Sequence, residues 1–311
     1  MRRKPVSLIG LLQAAAFITV ASSFVTSMPS LPHYVELFSH FRLQYLVVCL
    51  MLLVVFAALR NTLYSVALFV ALVLNAGYVV PWYMGDSIPE SAEAIKLIHV
   101  NVRAQNEQHE RLFELIQAEQ PDIFFVQEVS PAWFAAMQPL KTDYPFSYAE
   151  PRHGNFGIAM FSRLPLDSVT HVDSPPLQYP TMIATLSVAG EPLTLINTHP
   201  TIPLTRSGFE ARNEHLQSVS EIVKSTGGAI VLSGDFNTSM WSPTYRSFEA
   251  STGLSNTRRG VGVLPTWPTF MPFAMIPIDH ALVSHEVRVH ETRRGMGVGS
   301  DHRPLIIRFT L

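Results

Sequence analysis

The spacing of hydrophobic positions divides the chain into two parts that meet near residue 94. In the first part, three apolar runs without a charged side chain follow one another: Val6–Val25, Leu43–Leu59 and Leu63–Val80. Each run has the length of a membrane-spanning helix, which needs about 17 to 25 residues. Arg42, Arg60 and Trp82 lie at the ends of these runs, where long cations and aromatic rings meet the membrane interface. The pattern predicts a three-helix transmembrane anchor at residues 1–84; a buried helical hairpin of a soluble protein is the alternative.

The basic residues at the N-terminus set the orientation of this anchor. Arg2, Arg3 and Lys4 favour a cytoplasmic N-terminus, and Arg60 is cytoplasmic in the same topology. Three crossings then place the C-terminal domain outside the cytoplasm, on the far side of what we expect to be a bacterial inner membrane. If the first run is instead a cleaved signal peptide, the other two runs leave that domain on the same side. Residues 85–94 form a linker that reaches at most about 35 Å, so the domain stays near the membrane.

From residue 95 the pattern changes to short apolar runs and amphipathic stretches typical of a soluble α/β domain. Helical spacing predicts helices at Gln108–Glu119 and Phe209–Val223. The short apolar runs predict strands, two of which form a hairpin about Gly190. The predicted strands are Ile95–Val100, Ile123–Val126, Gly157–Phe161, Met182–Val188, Leu193–Ile196, Ala229–Leu232, a strand at Asp279-His280, Val287–His290 and Leu305–Phe309.

Polar residues suited to bind a metal or move a proton lie at the ends of most of these strands. The clearest case is Ala229–Leu232, which leads into Ser233-Gly234-Asp235-Phe236-Asn237. Because residues i and i+2 of an extended segment point to the same side, Asp235 and Asn237 face one ligand while Phe236 points into the core. A single acidic residue after a strand usually belongs to a turn or caps a helix. Six strand ends with polar residues in one domain indicate a functional site instead. They are Asn101, Gln127-Glu128, Asn197-Thr198-His199, Asp235/Asn237, Asp279-His280 and Ser300-Asp301-His302.

The charged residues are distributed unevenly along the chain. Of 22 basic and 24 acidic residues, only nine lie in residues 1–94. Residues 95–311 carry 17 basic and 20 acidic side chains, a balance without the electrostatic footprint of a nucleic-acid-binding domain. The single cysteine, Cys49, lies in the second apolar run, so no disulfide forms within the C-terminal domain.

The strand-end side chains offer hard oxygen ligands, which suit Mg²⁺ or Mn²⁺ better than Zn²⁺. Glu128, Asn101 and Asp301 form the best ligand set. Since Mg²⁺ usually binds through one or two carboxylates together with substrate phosphate, this set predicts phosphoester hydrolysis. Asp235 is then free to orient and deprotonate the attacking water, and two histidines support the phosphoryl oxygens or the leaving group.

Residues 95–311 resemble the endonuclease/exonuclease/phosphatase superfamily, which includes deoxyribonuclease I, apurinic endonucleases, sphingomyelinases and inositol-phosphate phosphatases. The resemblance covers the whole C-terminal domain and depends on the order and spacing of motifs that are individually weak. These motifs are Asn101, Gln127-Glu128, Asn197-Thr198-His199, Gly234-Asp235-Phe236-Asn237, Ile278-Asp279-His280 and Gly299-Ser300-Asp301-His302-Arg303-Pro304. The resemblance implies an α/β fold, a four-layer α/β/β/α sandwich in which two packed sheets carry helices on their outer faces.

The resemblance also implies metal-side and water-side roles. Glu128 is similar to the family's main metal ligand, and Asn101 lies beside it. Asp301 matches a metal-proximal or hydrogen-bonding acid. Asp235 is similar to the water-activating aspartate, and Asn237 to the residue that stabilises the transition-state phosphate.

The remaining roles implied by the resemblance concern the phosphate. His302 resembles the histidine that contacts the scissile phosphate, and Asp279 the carboxylate that orients it. His199 is similar to the second phosphate-side histidine. These assignments agree with the chemistry, because a buried acid fixes the tautomer of a neighbouring histidine and raises its basicity.

Two further residues are candidates for substrate binding. Asn155 lies in the polar loop 152–155, where members of the superfamily often place substrate-side residues. Arg212, on the predicted helix Phe209–Val223, either reaches the site or lies on a solvated helix face. The run Phe270–Ile276 is expected to be strand and core leading to Asp279, with a contact to lipid as the alternative.

The fold alone does not select the phosphoester. Superfamily members with an N-terminal membrane bundle of this kind resemble a teicoplanin-resistance protein thought to act on polyprenyl phosphates, which implies a lipid-linked substrate. The negative balance of the domain disfavours nucleic acid, because nuclease affinity depends on neutralising phosphates. We therefore expect a membrane-anchored, Mg²⁺-dependent phosphoesterase without an obligate protein partner. An extracytoplasmic nuclease for DNA or RNA is the alternative, and a catalytically silent, membrane-held binding protein is the third interpretation.

Overall fold

The computed structural model describes residues 7–85, 89 and 91–311. Arg2, Arg3 and Lys4, on which the predicted orientation depends, lie outside the described residues. The same holds for residues 86–88 and 90 of the predicted linker. Helices occupy the N-terminal part of the described chain, and two sheets flanked by helices occupy the rest.

Residues 7–85 form what we call the N-terminal helical segment. Its helices are α1 (Leu8–Val25), α2 (His33–Ser39), α3 (Arg42–Ala58) and α4 (Thr62–Val79), with a 3₁₀ turn at Val80–Tyr83. Among the described residues, two helical stretches are long and apolar enough to cross a membrane, Leu8–Val25 and Thr62–Tyr83. A third span exists only if α2 and α3, which are bent by 64° to each other, count as one.

The prediction of three membrane-spanning helices is therefore not confirmed. The second predicted run, Leu43–Leu59, corresponds to α3, which has 17 residues. At about 1.5 Å per residue, such a helix is about 25 Å long, shorter than the hydrocarbon core of about 30 Å. The sequence pattern also missed α2, a short helix that contains the charged Glu36.

Twelve strands form two six-stranded sheets within the part of the chain that the structure describes. Their bounds are β1 (Ile95–Asn101), β2 (Ile123–Gln127), β3 (Phe146–Glu150), β4 (Ile158–Ser162), β5 (Ser168–Ser174), β6 (Tyr179–Val188), β7 (Glu191–Thr198), β8 (Ala229–Asp235), β9 (Ser255–Asn256), β10 (Asp279–Val283), β11 (Arg288–Arg294) and β12 (Leu305–Thr310). The first sheet has the order β11-β12-β1-β2-β4-β3, and the second has the order β5-β6-β7-β8-β10-β9.

Helices cover the outer faces of both sheets. They are α5 (His109–Glu119), α6 (Pro131–Ala136), α7 (Arg206–Ser225) and α8 (Pro243–Thr252). Alternation along β2 shows the layering: Ile123 and Phe125 face the second sheet, while Phe124 and Val126 pack with α5 and α6. Each such side chain, when fully buried, contributes about 1.5–3 kcal/mol. The predicted α/β sandwich of two packed sheets with helices outside is confirmed.

The run Phe270–Ile276 confirms only part of its prediction as strand and core: Met275 and Ile276 are buried, but the run forms no strand. It contains a 3₁₀ turn at Pro272–Ala274, and Phe270 and Phe273 are 70% and 80% exposed. Proline has no backbone N–H to donate to a strand ladder, so Pro268 and Pro272 explain why no strand forms there. The run instead presents two large aromatic side chains to the surroundings.

The helical segment packs directly on the sandwich. Val79 and Trp82 join the core that α7 and α8 form on the second sheet. The indole N–H of Trp241 donates to the carbonyl of Tyr78 at 3.0 Å, and the amide of Gln44 donates to the carbonyl of Met275 at 2.8 Å. These contacts place the end of α4 and the start of α3 against the sandwich.

Candidate active site

The polar residues at the strand ends lie at one edge of the two sheets. The parallel strands β1 and β2 end at the register partners Asn101 and Gln127. In the second sheet, β7 and β8 also run parallel, and Asp235 at the end of β8 pairs with Asp279 at the start of β10. Because parallel strands end at the same edge of a sheet, these side chains lie together where the two sheets meet.

Gln127 ties the two sheets together at this edge. Its amide nitrogen donates to Asn197 Oδ1 and to the carbonyl of Thr198, each at 2.7 Å. Its amide oxygen accepts the backbone N–H of Asp235 at 3.0 Å. Gln127 is fully buried, so these bonds hold Asp235 in a fixed position relative to Glu128, the next residue in the chain.

His302 and Asp279 form the most tightly paired part of the site. The distance from His302 Nδ1 to Asp279 Oδ2 is 2.9 Å, and that from His302 Nε2 to Asp235 Oδ2 is 3.7 Å. Burial opposes a charge on His302, but Asp279 and Asp235 outweigh burial and raise the pKa of His302 to about 10. Burial likewise opposes the charge on Asp279, yet His302 holds the pKa of Asp279 well below its usual value. At neutral pH the pair is an imidazolium beside a carboxylate, with Nδ1–H donated to Asp279.

Asp235 lies between the two histidines. Its Oδ2 is 3.6 Å from His199 Nε2, and its Oδ1 accepts the backbone N–H of Asn237 at 2.8 Å. Burial and the nearby charge of Asp279 raise the pKa of Asp235 to about 8. A carboxylate that takes up a proton near neutral pH meets the requirement for a general base.

His199 and Asn237 complete this side of the site. Burial, together with the positive charge of His302, lowers the pKa of His199 to about 3, so the ring is neutral at pH 7. Asn237 has a left-handed backbone with φ of 49°, which asparagine tolerates better than most residues. Its side-chain amide donates to the carbonyl of Pro200 at 3.0 Å. As predicted, Phe236 packs in the core.

Glu128 and Asp301 line one pocket with these residues, and Asn101 at the end of β1 is hydrogen-bonded to Glu128. Asn101 Nδ2 donates to Glu128 Oε1 at 3.1 Å and lies 3.5 Å from Asp235 Oδ2. The other oxygen of Glu128 accepts the backbone N–H of Ala104 at 2.9 Å. Burial raises the pKa of Glu128 although both of these hydrogen bonds oppose the shift. The hydrogen-bond donors to this buried carboxylate are neutral, and further acidic residues lie beside it. Such a carboxylate fits a divalent cation.

A second group of donors lies beside this set. Ligand atoms of Asp235, Asp279 and His302 lie within 4.8 Å of one another, which is close enough for these three residues to bind one metal ion. The carboxylate of Asp279, however, is bonded to His302 and lies 3.2 Å from His99 Nε2. The oxygen-rich side, with Glu128, is therefore the better chemical fit for a hard divalent cation.

The pocket around these groups has a cavity volume of about 230 Å³. Its polar floor consists of Glu128, Asn155, His199, Asp235, Asn237, Asp301 and His302. Its walls are mainly apolar and include Leu37 of α2, Ile202, Leu204 and Ile276. No lysine or arginine is among the described residues that line it. The site is therefore acidic at its floor and hydrophobic at its walls.

The two substrate-binding candidates are placed differently. Asn155 lines the pocket, and its Oδ1 accepts a hydrogen bond from Gln105 Nε2 at 3.2 Å. Arg212 does not line the pocket and is fully buried. Its guanidinium instead donates to the carbonyl of Asn237 at 3.0 Å, which puts the arginine behind the site. Arg212 therefore neither reaches the pocket nor lies on a solvated helix face, the two alternatives that the sequence left open.

Sequence reasoning missed several residues of the site. His99 lies two positions before Asn101 on β1, so strand alternation was a signal that it faces the same side. Trp267 lines the pocket, and its indole N–H donates to Asp301 Oδ2 at 3.1 Å. Leu37 and His40 of the helical segment also line the pocket, and no local pattern predicts that contact.

The sequence pattern of the Endonuclease/Exonuclease/phosphatase family matches residues 98–302, which contain the site residues at every strand end described above. The chain belongs to this family. Its members are metal-dependent hydrolases of phosphoester bonds, so the enzyme class predicted from the sequence is confirmed. A search of the curated protein sequences finds no match.

Solved structures of the family share the fold. Humanized D. rerio TDP2 with 14 mutations has a TM-score of 0.60 and 18% identity, covering 71% of this chain and 100% of its own. The human nocturnin catalytic domain with bound sulfate has a TM-score of 0.58 and 21% identity, covering 74% of this chain and 98% of its own. An endonuclease/exonuclease/phosphatase from Beutenbergia cavernae has a TM-score of 0.60 and 19% identity, covering 70% of this chain and 72% of its own. A further structure is D. rerio TDP2 complexed with single-strand DNA product.

Proposed function

We propose that this family member is a membrane-anchored phosphoesterase that hydrolyses a lipid-linked phosphoester, of the polyprenyl phosphate class, outside the cytoplasm. The observation that carries the proposal is the composition of the pocket. An acidic floor suited to a metal and a phosphate is enclosed by apolar walls, one of which belongs to the helical segment. Such a pocket matches a substrate with a phosphate at one end and a hydrocarbon chain at the other.

The chain's own residues account for the hydrolytic step. Asp235, with its raised pKa, accepts the proton of the attacking water, which the backbone and side chain of Asn237 help to enclose. The imidazolium of His302, held by Asp279, donates Nε2–H to the phosphoryl oxygens as negative charge develops there. Glu128, Asn101 and Asp301 would hold a Mg²⁺ or Mn²⁺ ion, which would supply Lewis-acid polarisation of the phosphate.

The arrangement of the helices supports a membrane topology with three crossings, in which α3 spans the membrane despite its length. The end of α4 contacts the sandwich through Tyr78 and Trp82, and α2 contacts it through Leu37. Arg60 lies between α3 and α4, at the opposite end of both helices. In the proposed topology, α2 and the catalytic pocket lie on one side of the membrane and Arg60 lies on the other, which agrees with the positive-inside rule when Arg60 is cytoplasmic.

Exposed apolar side chains near the pocket support a lipid substrate. Leu204, in the pocket wall, is 64% exposed, and Phe273 is more exposed still. Gln44 at the start of α3 bonds to the carbonyl of Met275, so the Phe270–Ile276 run lies next to the helical segment. Large exposed apolar residues beside a membrane-spanning segment are typical of contact with lipid.

A nuclease is the competing function within the family. Among solved relatives, D. rerio TDP2 has been crystallised with a single-strand DNA product. Nucleic-acid affinity depends on basic groups that neutralise phosphates, and the described lining of this pocket contains none of these apart from histidine. The acidic floor and apolar walls favour the lipid-linked phosphoester.

The test compares substrates with the full-length protein in detergent micelles at equal Mg²⁺ concentration. We expect faster release of phosphate or head group from a polyprenyl phosphoester than nicking of plasmid DNA, and no hydrolysis of either by Asp235→Ala. Faster nicking of DNA would favour the nuclease. A wild-type protein that binds but does not hydrolyse any phosphoester would support the catalytically silent binding protein.

A further inference from the structure

A buried ion pair links the helical segment to the loop after β8 that contains Asn237. Glu36 of α2 and Arg212 of α7 are both buried, and Arg212 Nη2 lies 2.5 Å from Glu36 Oε1. The other terminal nitrogen of Arg212 donates to the carbonyl of Asn237 at 3.0 Å. Glu36 Oε2 accepts the hydroxyl of Thr244 at 2.8 Å. The chain of contacts therefore runs from α2 through Arg212 to Asn237.

Asn237 is held from three directions. Its backbone N–H donates to Asp235, its side chain donates to Pro200, and its carbonyl accepts from Arg212. Its backbone is left-handed, a conformation that costs free energy even in an asparagine, so these contacts help to keep it in place. Of the three contacts, the one from Arg212 depends on the helical segment, since Glu36 of α2 holds the guanidinium together with Asn213 of α7.

We infer that Glu36 is a positioning residue of the enzyme: it orients Arg212, which fixes the backbone of Asn237 and, through it, the carboxylate of Asp235. The inference rests on the proposed function, in which Asp235 and Asn237 act on the phosphoester. It assigns the helical segment a part in turnover as well as in attachment to the membrane.

The chemistry of the pair favours positioning over stability alone. A buried ion pair is often no more stabilising than apolar residues of the same size, because both charges lose their hydration. A planar guanidinium, however, presents donors in a rigid fork and holds its acceptors at a fixed geometry. Arg212 bonds to Glu36 of α2, to the carbonyl of Asn237 after β8 and, through Nε, to Asn213 of its own helix. A second contact, between His40 Nδ1 and Ser239 Oγ at 2.9 Å, joins the same two regions.

The experiment measures kcat, KM and thermal stability of the full-length protein with Mg²⁺ and bis(p-nitrophenyl) phosphate as the probe. Glu36→Gln keeps the size of the side chain but removes the charge that holds Arg212. We expect kcat to fall about 10-fold or more, the usual effect of losing a residue that orients active-site groups, with KM changed less than about twofold. Arg259→Gln is the control, because Arg259 also joins the sandwich to the helical segment, over the ring of Trp82, but lies outside the pocket. We expect its kcat to equal that of wild type.

A double variant separates positioning from folding. Replacing both partners, as Glu36→Met with Arg212→Met, removes the unpaired charge, so thermal stability recovers toward wild type. The carbonyl of Asn237 is still without its donor in this variant, so kcat stays low. Recovery of kcat in parallel with stability, or a wild-type kcat in Glu36→Gln, would overturn the positioning role. Absence of hydrolysis of both this probe and the polyprenyl phosphoester by the wild-type protein would instead overturn the proposed function.

Discussion

Replacing Asp279 with asparagine tests the electrostatic basis of the site. Asp279 is fully buried and lies 2.9 Å from His302 Nδ1. The pKa of His302 is about 10, against an ordinary value of 6.5. Since one pKa unit corresponds to about 1.4 kcal/mol, the imidazolium is stabilised by a net amount on the order of 5 kcal/mol, and the neighbouring carboxylates contribute more than this because burial opposes them. In Asp279→Asn the larger of these contributions is lost, and burial then lowers the pKa of His302.

Two measurements follow from this loss. First, at pH 7 kcat should fall by about 10²- to 10³-fold, because about 3 kcal/mol corresponds to two decades in rate. Residual activity should rise as pH falls, since acid restores the imidazolium. Second, the pair stabilises the fold most at pH values at which Asp279 is ionised and His302 is protonated even in the unfolded chain. These pH values lie between about 3.8 and 6.5. The difference in free energy of unfolding between wild type and variant should be largest in that window and shrink as pH rises through 10.

The control is Asp173→Asn. Asp173 is partly exposed and pairs with Arg152 at 3.4 Å, so its replacement should change stability by less than about 1 kcal/mol and leave kcat unaltered. If Asp279→Asn retained the wild-type kcat and pH profile, the assignment of His302 as a charged phosphate contact would be refuted.

Three further predictions concern acid stability, the metal and topology. The pKa of His215 is lowered to about 3 by burial, so the unfolded chain binds a proton that the folded chain excludes, and the free energy of unfolding should fall as pH drops from about 6.5 toward 3. His215→Gln should flatten this decline in thermal unfolding, whereas the exposed His285→Gln should not; equal curves would contradict the buried neutral state. Glu128→Gln should weaken Mg²⁺ binding about 10- to 100-fold in calorimetric titration. Unaltered affinity would show that other residues bind the metal. A reporter fused after Leu311 should be active only outside the cytoplasm, and a cytoplasmic signal would reverse the topology.

The strands and their ends were predictable because their burial is so regular. β2 and β8 are apolar on both faces, because one face packs against the other sheet and the opposite face packs against helices. The first polar residues after such an apolar run therefore mark the end of the strand. Asp235 and Glu128 therefore stood out in the sequence. The strands β3 and β5 were not predicted, because they lie at sheet edges and most of their side chains are partly or fully exposed.

The contributions of α2 and Arg212 could not be predicted from local pattern. α2 has seven residues and follows a proline, so it resembles a connection between two apolar runs. The burial of Arg212 is explained by Glu36, which is 176 positions away in the sequence. No spacing rule within a helix or strand reports a contact of that kind. The same holds for the wall that Leu37 and His40 contribute to the pocket.

The most direct test of a lipid-linked substrate is the ratio of two specificity constants for the full-length protein. One substrate is a polyprenyl phosphoester, and the other carries the same head group on a chain too short to reach the apolar walls around Leu37 and Leu204. Each buried CH₂ contributes about 0.8 kcal/mol, so a few methylenes in contact with those walls should raise kcat/KM for the long-chain substrate about 10-fold or more. Equal values of kcat/KM for the two substrates would contradict the proposal.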